Sequence, residues 1–157
     1  MTETEYESLL EESIEVAAPP AKVWSLVTDL PRMSSWSPQV LRTIVRGGPV
    51  QLGTRAFNIN HRGPLVWPTR TKVVAFEPHR EFAFRVKENF SIWSFTLEPT
   101  ESGTRVIQRR RTPDGISDIS KKLTRIALGG QETFTRELRH GMRQTLERVK
   151  AESEARA

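Results

Sequence analysis

Few side chains in this sequence have both the chemistry and the spacing to act on a small molecule, and His61, Gln108 and Arg110 lead them. Strand alternation over Thr54–His61 puts Phe57, Ile59 and His61 on one side and Asn58 and Asn60 on the other. If the apolar side faces inward, His61 looks into the interior, where an imidazole titrating near neutral pH can shuttle a proton. The competing position is a half-solvated strand end beside the turn Arg62-Gly63-Pro64. Over Thr104–Thr112 the same alternation sets Val106, Gln108 and Arg110 opposite Arg105, Ile107, Arg109 and Arg111. A buried guanidinium needs a carboxylate, a ligand or backbone oxygens around it. Arg110 is therefore either an anchor for an anionic or carbonyl oxygen or one half of an internal ion pair. A slip of one residue would turn Arg109 and Arg111 inward instead. Thr69 and Thr71 offer hydroxyls on an inner strand face. His79 falls in a turn and His140 on the polar side of a helix, positions with no evident chemistry.

Other chemistries have no support. The chain has no cysteine, so disulfides, thiolate metal sites and cysteine nucleophiles are excluded. No HExxH, CxxC, P-loop, GxSxG or GxGxxG pattern occurs, so no metal, nucleotide or other cofactor is expected.

The elements that must position these residues follow from periodicity. A first strand over about 7–17 ends at Ala18-Pro19-Pro20. Two short helices follow over about 20–36, the first with Val23, Leu26, Val27 and Leu30 on one face, the second closed by Ser37-Pro38. Six strands joined by short turns fill about 40–112, which favours an antiparallel meander. In them Phe82, Phe84 and Val86 share one face, as do Trp93, Phe95 and Leu97. Ile116, Ile119, Leu123 and Ile126 then recur at helical spacing, predicting a helix over about 116–127. Phe134, Leu138, Met142, Leu146 and Val149 predict a long helix over about 130–152, and one kinked helix across Gly129-Gly130 is the alternative. The order predicts an α+β fold: a curved seven-stranded antiparallel sheet gripping a long C-terminal helix. The 157 residues are read as one domain. A cavity between sheet and helix is then the default ligand site. Its expected wall is Phe57, Ile59, Trp67, Thr71, Phe82, Phe84, Trp93, Phe95, Gln108, Phe134, Leu138 and Met142.

The net charge of +5 divides unevenly, −6 over residues 1–29 and +11 over the rest. A basic body invites an anionic partner. Yet the run Arg109–Arg111 can expose only alternate arginines, and the aromatics are used inward, so a solvated strand face fits better than nucleic-acid binding. The acidic first strand is expected to complement the basic sheet. No apolar run is long enough to span a bilayer, and the acidic start lacks the pattern of a secretory signal, so a cytoplasmic monomer or homodimer is expected.

Four stretches together resemble a known family: 14-IEVAAPPAKVWSLVTDLPRMSSWSP-38, 70-RTKVVAFEPHREFAFRV-86, 93-WSFTLEPTESGTRVIQRR-110 and 131-QETFTRELRHGMRQTLERVKAE-152. They resemble, in order and spacing, the polyketide cyclase/dehydrase and lipid-transport family of the START-like (SRPBCC) superfamily, which shares the birch-pollen-allergen-like helix-grip fold. The resemblance implies a hydrophobic cavity for an apolar or amphipathic small molecule, whether lipid, polyketide-like or quinone-like. It leaves function open, because fold does not fix activity. The leading expectation is a binding protein. The alternatives are a cyclase or dehydratase in which His61 or Arg110 polarises a ketone and moves protons, and an interaction module using the basic sheet face through Arg85 and Arg109.

Overall fold

The computed structural model describes residues 9–113 and 131–155. Strand β1 (Leu9–Val16) leads into helix α1 (Pro20–Val27), a single 3-10 turn (Leu30–Arg32) and the short helix α2 (Met33–Trp36). Strands β2 (Val40–Arg46), β3 (Arg55–Arg62), β4 (Leu65–Glu77), β5 (Glu81–Val86), β6 (Ile92–Thr100) and β7 (Gly103–Arg111) follow, and helix α3 (Gln131–Glu154) closes the order. The expected helix over 116–127 lies outside the described residues, as does its junction with α3.

All seven strands form one antiparallel sheet in the order β1-β7-β6-β5-β4-β3-β2. The meander is what short turns dictate, and β1 adds to it beside β7, leaving β1 and β2 as the two edges. Register shifts interrupt β2 between Val40 and Arg42 and β4 between Val73 and Ala75. Such bulges bend a strand and increase its twist, which helps this sheet curl. This is the α+β arrangement that the element order predicts.

Local chemistry explains the breaks. Pro20 opens α1, where its fixed φ suits the first helical turn and its missing N–H costs nothing. The Thr28 hydroxyl donates to the Trp24 carbonyl at 2.8 Å as α1 ends. Pro38 holds Ser37 extended, at φ −104° and ψ 116°, and so ends α2. Gly103 admits no other residue, because a Cβ there would sit 2.1 Å from the Val16 carbonyl oxygen. The neighbouring Thr104 hydroxyl donates to Ala18 O at 2.7 Å, tying the start of β7 to the end of β1.

Helix α3 lies across the concave face in two halves. Its C-terminal half buries Leu146 and Val149 in the main core with Val23, Trp24, Val27, Phe82, Leu97 and Val106. There the Trp24, Phe76 and Phe82 rings meet edge-on at centroid distances of 5.2 to 6.1 Å, a favoured geometry for aromatic pairs. Its N-terminal half carries Leu138 and Met142 over a smaller cluster with Leu10, Trp93 and Phe134. Polar ties fix the helix on both flanks. Arg62 at the end of β3 makes two 2.6 Å bonds to the Glu137 carboxylate. On the other flank Arg143 reaches Glu12 at 2.8 Å and Lys150 donates to Glu15 O at 2.9 Å. Glu11 pairs with Arg109 at 2.7 Å. The acidic first strand thus faces basic partners on β7 and α3, and the split in charge along the chain is partly a structural complement.

Candidate functional site

A pocket of about 150 Å³ lies between the sheet and the N-terminal half of α3. Each wall comes from a different part of the chain. The roof is Phe134, Leu138, Gly141, Met142 and Thr145 of α3. Met33 and Trp36 of α2, with the following residues to Val40, form one side. Phe84, Val86, Trp93 and Phe95 of β5 and β6 supply the apolar floor. Gln108 and Arg110 of β7 lie at one margin, and Asn58, Asn60, Trp67, Thr69 and Thr71 of β3 and β4 at the other.

Arg110 is the most unusual of these. It is 4% exposed, and its sheet neighbours are Leu10 on β1 and Trp93 on β6. No carboxylate or other hydrogen-bonding group among the described residues pairs with its guanidinium, so the internal ion pair finds no second half there. Burial pulls its pKa down from the usual guanidinium range to about 10, because removing a charge from water favours the neutral form. At neutral pH the group is still a cation. Gln108 Oε1 and Trp36 Nε1, also on the wall, are buried without a partner among the described residues. Orphaned polar atoms of this kind are uncommon in folded proteins.

The opposite margin is polar and cross-linked by its own hydrogen bonds. Thr43 Oγ1 donates to Asn58 Oδ1 at 2.8 Å. Asn58 Nδ2 donates to Thr69 Oγ1 at 3.4 Å, and Asn60 Nδ2 to the same oxygen at 2.9 Å and to Trp67 O at 3.2 Å. These bonds hold two asparagines on the inner face of β3, and they correct the sequence reading there. Asn58 and Asn60 face inward while Phe57, 39% exposed, faces outward beside Ile44 and Arg70. Ile59 is half-buried and off the pocket wall. His61 is likewise half-buried at the strand end, with Nε2 3.1 Å from the Pro38 carbonyl oxygen. A carbonyl can only accept, so Nε2 carries the proton. His61 is not among the residues lining the pocket; of its two expected positions it takes the half-solvated strand end. Phe82 is also displaced from the expected wall: it is inward and fully buried, but it lies in the aromatic core against Trp24.

The other expected positions lie on the wall: Trp67, Thr71, Phe84, Trp93, Phe95, Gln108, Arg110, Phe134, Leu138 and Met142. Asn58 and Asn60 were missed, since the sequence reading gave them the outer face. Arg109 of the basic face is bonded to Glu11 and, at 3.2 Å, to Thr96 Oγ1, which leaves the interaction-module reading weaker there. Among the described residues no group of three or more His, Asp or Glu side chains comes together as a metal site would need. No helix among them is long and apolar enough to cross a membrane.

A curved seven-stranded antiparallel sheet gripping a C-terminal helix, with a pocket between them, defines the helix-grip class. The family described as polyketide cyclase / dehydrase and lipid transport matches residues 9–154, and the chain belongs to it. A search of curated proteins finds no match. Among solved structures, the di-domain ARO/CYC StfQ from the steffimycin biosynthetic pathway superposes with a TM-score of 0.77 at 15% identity, over 98% of this chain and 52% of that one. This chain spans about half the length of that protein. The Zhui aromatase/cyclase from a Streptomyces species gives a TM-score of 0.74 at 14% identity over 93% of each chain. A polyketide-cyclase-like protein of Corynebacterium glutamicum gives 0.60 at 26% identity, over 90% of this chain and 88% of that one.

Proposed function

We propose that this protein binds a small, largely apolar molecule in the pocket between the sheet and α3, with an oxygen of that molecule held by Arg110. The observation that carries this reading is the buried guanidinium on the pocket wall, which has no partner among the described residues. A cation kept out of water without a partner costs stability, and such a group makes physical sense where a ligand supplies the missing partner. The aromatic floor and the adaptable Met142 suit a planar or irregular apolar body. Native mass spectrometry of the purified chain, alone and with a panel of lipids, quinones and aromatic acids, tests the reading. Retention of a small molecule at unit stoichiometry, lost in Arg110→Met, is the expected result. Failure of every panel member to bind overturns it.

A cyclase or dehydratase is the second reading, favoured by the same residue: a buried cation can polarise a ketone and stabilise an enolate. Among the described wall residues, however, Arg110 is the only ionisable one. A proton acceptor for carbon acids is not among them, and His61 lies off the wall. Binding is therefore the better-supported function. Turnover of a poly-ketone substrate that survives His61→Ala and is lost in Arg110→Met would favour the enzyme.

A further inference from the structure

Resting on that reading of the pocket, we infer that its occupant is a compact aromatic acid with a second, uncharged oxygen, its carboxylate at Arg110 and its hydroxyl at Asn60 and Thr69. The argument begins with the distribution of polarity. Arg110 stands on β7 and Thr69 and Asn60 on β4 and β3, with β5 and β6 between them in the sheet. Those two intervening strands present only Phe84, Val86, Trp93 and Phe95 to the pocket. From β7 to β4 is three strand spacings of about 4.8 Å along the curved sheet, and the long arginine side chain shortens the gap to be bridged. Along the strands the site is polar, then apolar and aromatic, then polar; Asn89, in the turn between β5 and β6, also lines it, with its Oδ1 taken up by Ser91.

The two poles differ in kind. The Arg110 pole is cationic and unpaired among the described residues, so it calls for an anion. The other pole is neutral, and its free valences can be counted. Asn60 Nδ2 must face the Trp67 carbonyl, which only accepts, and its second hydrogen goes to Thr69 Oγ1. This fixes the amide orientation and leaves Asn60 Oδ1 as an acceptor with no donor among the described residues. Thr69 Oγ1 accepts from both asparagines, so its two lone pairs are occupied and its O–H is left to donate. One donor beside one acceptor matches a ligand hydroxyl, which gives one hydrogen bond and takes one. Nothing at this pole can neutralise a second charge.

Size sets the rest. A cavity of about 150 Å³ lined by apolar groups accommodates benzene, so a pocket of this volume suits one or two rings and not a long acyl chain. Asn60 and Thr69 are then the residues that choose among acids, while Arg110 chooses acids over neutral molecules.

The test is calorimetric titration of the full chain at neutral pH with 6-hydroxy-2-naphthoate, 2-naphthoate, 2-naphthol and decanoate. Loss of a charge-assisted bond should weaken 2-naphthol at least about tenfold, and loss of a neutral bond should weaken 2-naphthoate about threefold to tenfold. Decanoate, which has the carboxylate but not the rings, should bind weakest of the acids. Thr69→Val, close in shape, should narrow the preference for 6-hydroxy-2-naphthoate over 2-naphthoate, since only the bond to Asn60 then remains, while both keep their preference over 2-naphthol. Arg110→Met should erase that preference. Equal binding of 2-naphthol and 2-naphthoate, a Thr69→Val protein that favours the hydroxyl as strongly as the wild type, or tighter binding of decanoate overturns this inference and leaves the pocket reading standing. Binding of none of the four overturns this inference as well, whereas the pocket reading falls only if the wider panel of lipids and quinones also fails.

Discussion

Replacing Arg110 by methionine should make the protein more stable, although it removes the group on which binding depends. The magnitude follows from the buried charge. Lowering the guanidinium from its usual range to about 10 corresponds to about 3 kcal/mol disfavouring the charged form in the folded chain, at 1.36 kcal/mol per pKa unit. The residue is almost wholly buried, so solvent screening does not reduce the figure much. The sign is set by proton linkage: the folded chain holds this proton less tightly than the unfolded chain. The penalty is therefore complete at every pH below about 10 and fades only as the pH rises from there towards the ordinary guanidinium range. Methionine fills a similar volume without a charge, and its thioether sits well beside Leu10, Trp93 and Leu138. The expected gain at pH 7 is about 1–4 kcal/mol, the range seen when buried charges give way to apolar residues. For a chain of this length that raises Tm by roughly 2–4 °C per kcal/mol. Urea unfolding followed by tryptophan fluorescence and a thermal melt in the absence of added ligand both measure it. An Arg110→Met protein equal to or less stable than the wild type would refute the reasoning, because it would mean that the guanidinium has a structural partner in the free protein.

Three further outcomes are expected. Gly103→Ala should destabilise the fold by at least about 2 kcal/mol, since its Cβ must push Val16 O away from 2.1 Å; circular dichroism during urea titration checks this. Arg62→Ala should cost little in stability, because the Arg62–Glu137 pair is half exposed. The cost should shrink in 1 M salt, roughly the concentration at which screening is nearly complete. Arg62 holds the Glu137 carboxyl below the ordinary carboxylate range, so the pair's contribution is full above that range and lost as pH falls through the lowered value. Melts of wild type and variant across acidic pH should therefore converge at the acid end. His61→Ala should leave affinity for 6-hydroxy-2-naphthoate within about twofold, as expected of a residue off the wall; a tenfold loss would return His61 to the site.

The order of elements and the inner face of β7 were legible in the sequence for a physical reason. Val106 flanks Gln108 and Arg110 at alternate positions, and a strand with an apolar anchor on one face declares its register. Strand β3 misled because its inner face is not apolar. Its asparagines bond to Thr43 and Thr69 on two other strands, and side-chain partners of this kind cannot be read from one strand alone. A signal was nevertheless present. The tight Gly63-Pro64 turn sets Asn58 opposite Thr69 and Phe57 opposite Arg70. A reading that turns Thr69 and Thr71 inward must therefore turn Asn58 inward and Phe57 outward. Phe82 and Phe84 share a face, and only the path of α1 decides that the first fills the core and the second borders the pocket. That no carboxylate among the described residues pairs with Arg110 depends on how several elements pack together, which periodicity does not reveal.

The most direct test of the central claim is the side-chain Nε–H resonance of Arg110, recorded by nitrogen–proton NMR and assigned by its disappearance in Arg110→Met. Saturating 2-naphthoate should shift that resonance strongly, as a guanidinium does on accepting a carboxylate partner, together with the indole resonance of Trp93 on the same wall. Saturating 2-naphthol should move the indole alone. An Arg110 resonance that stays in place while 2-naphthoate shifts Trp93 would contradict the account, for the acid would then occupy the pocket without meeting the cation.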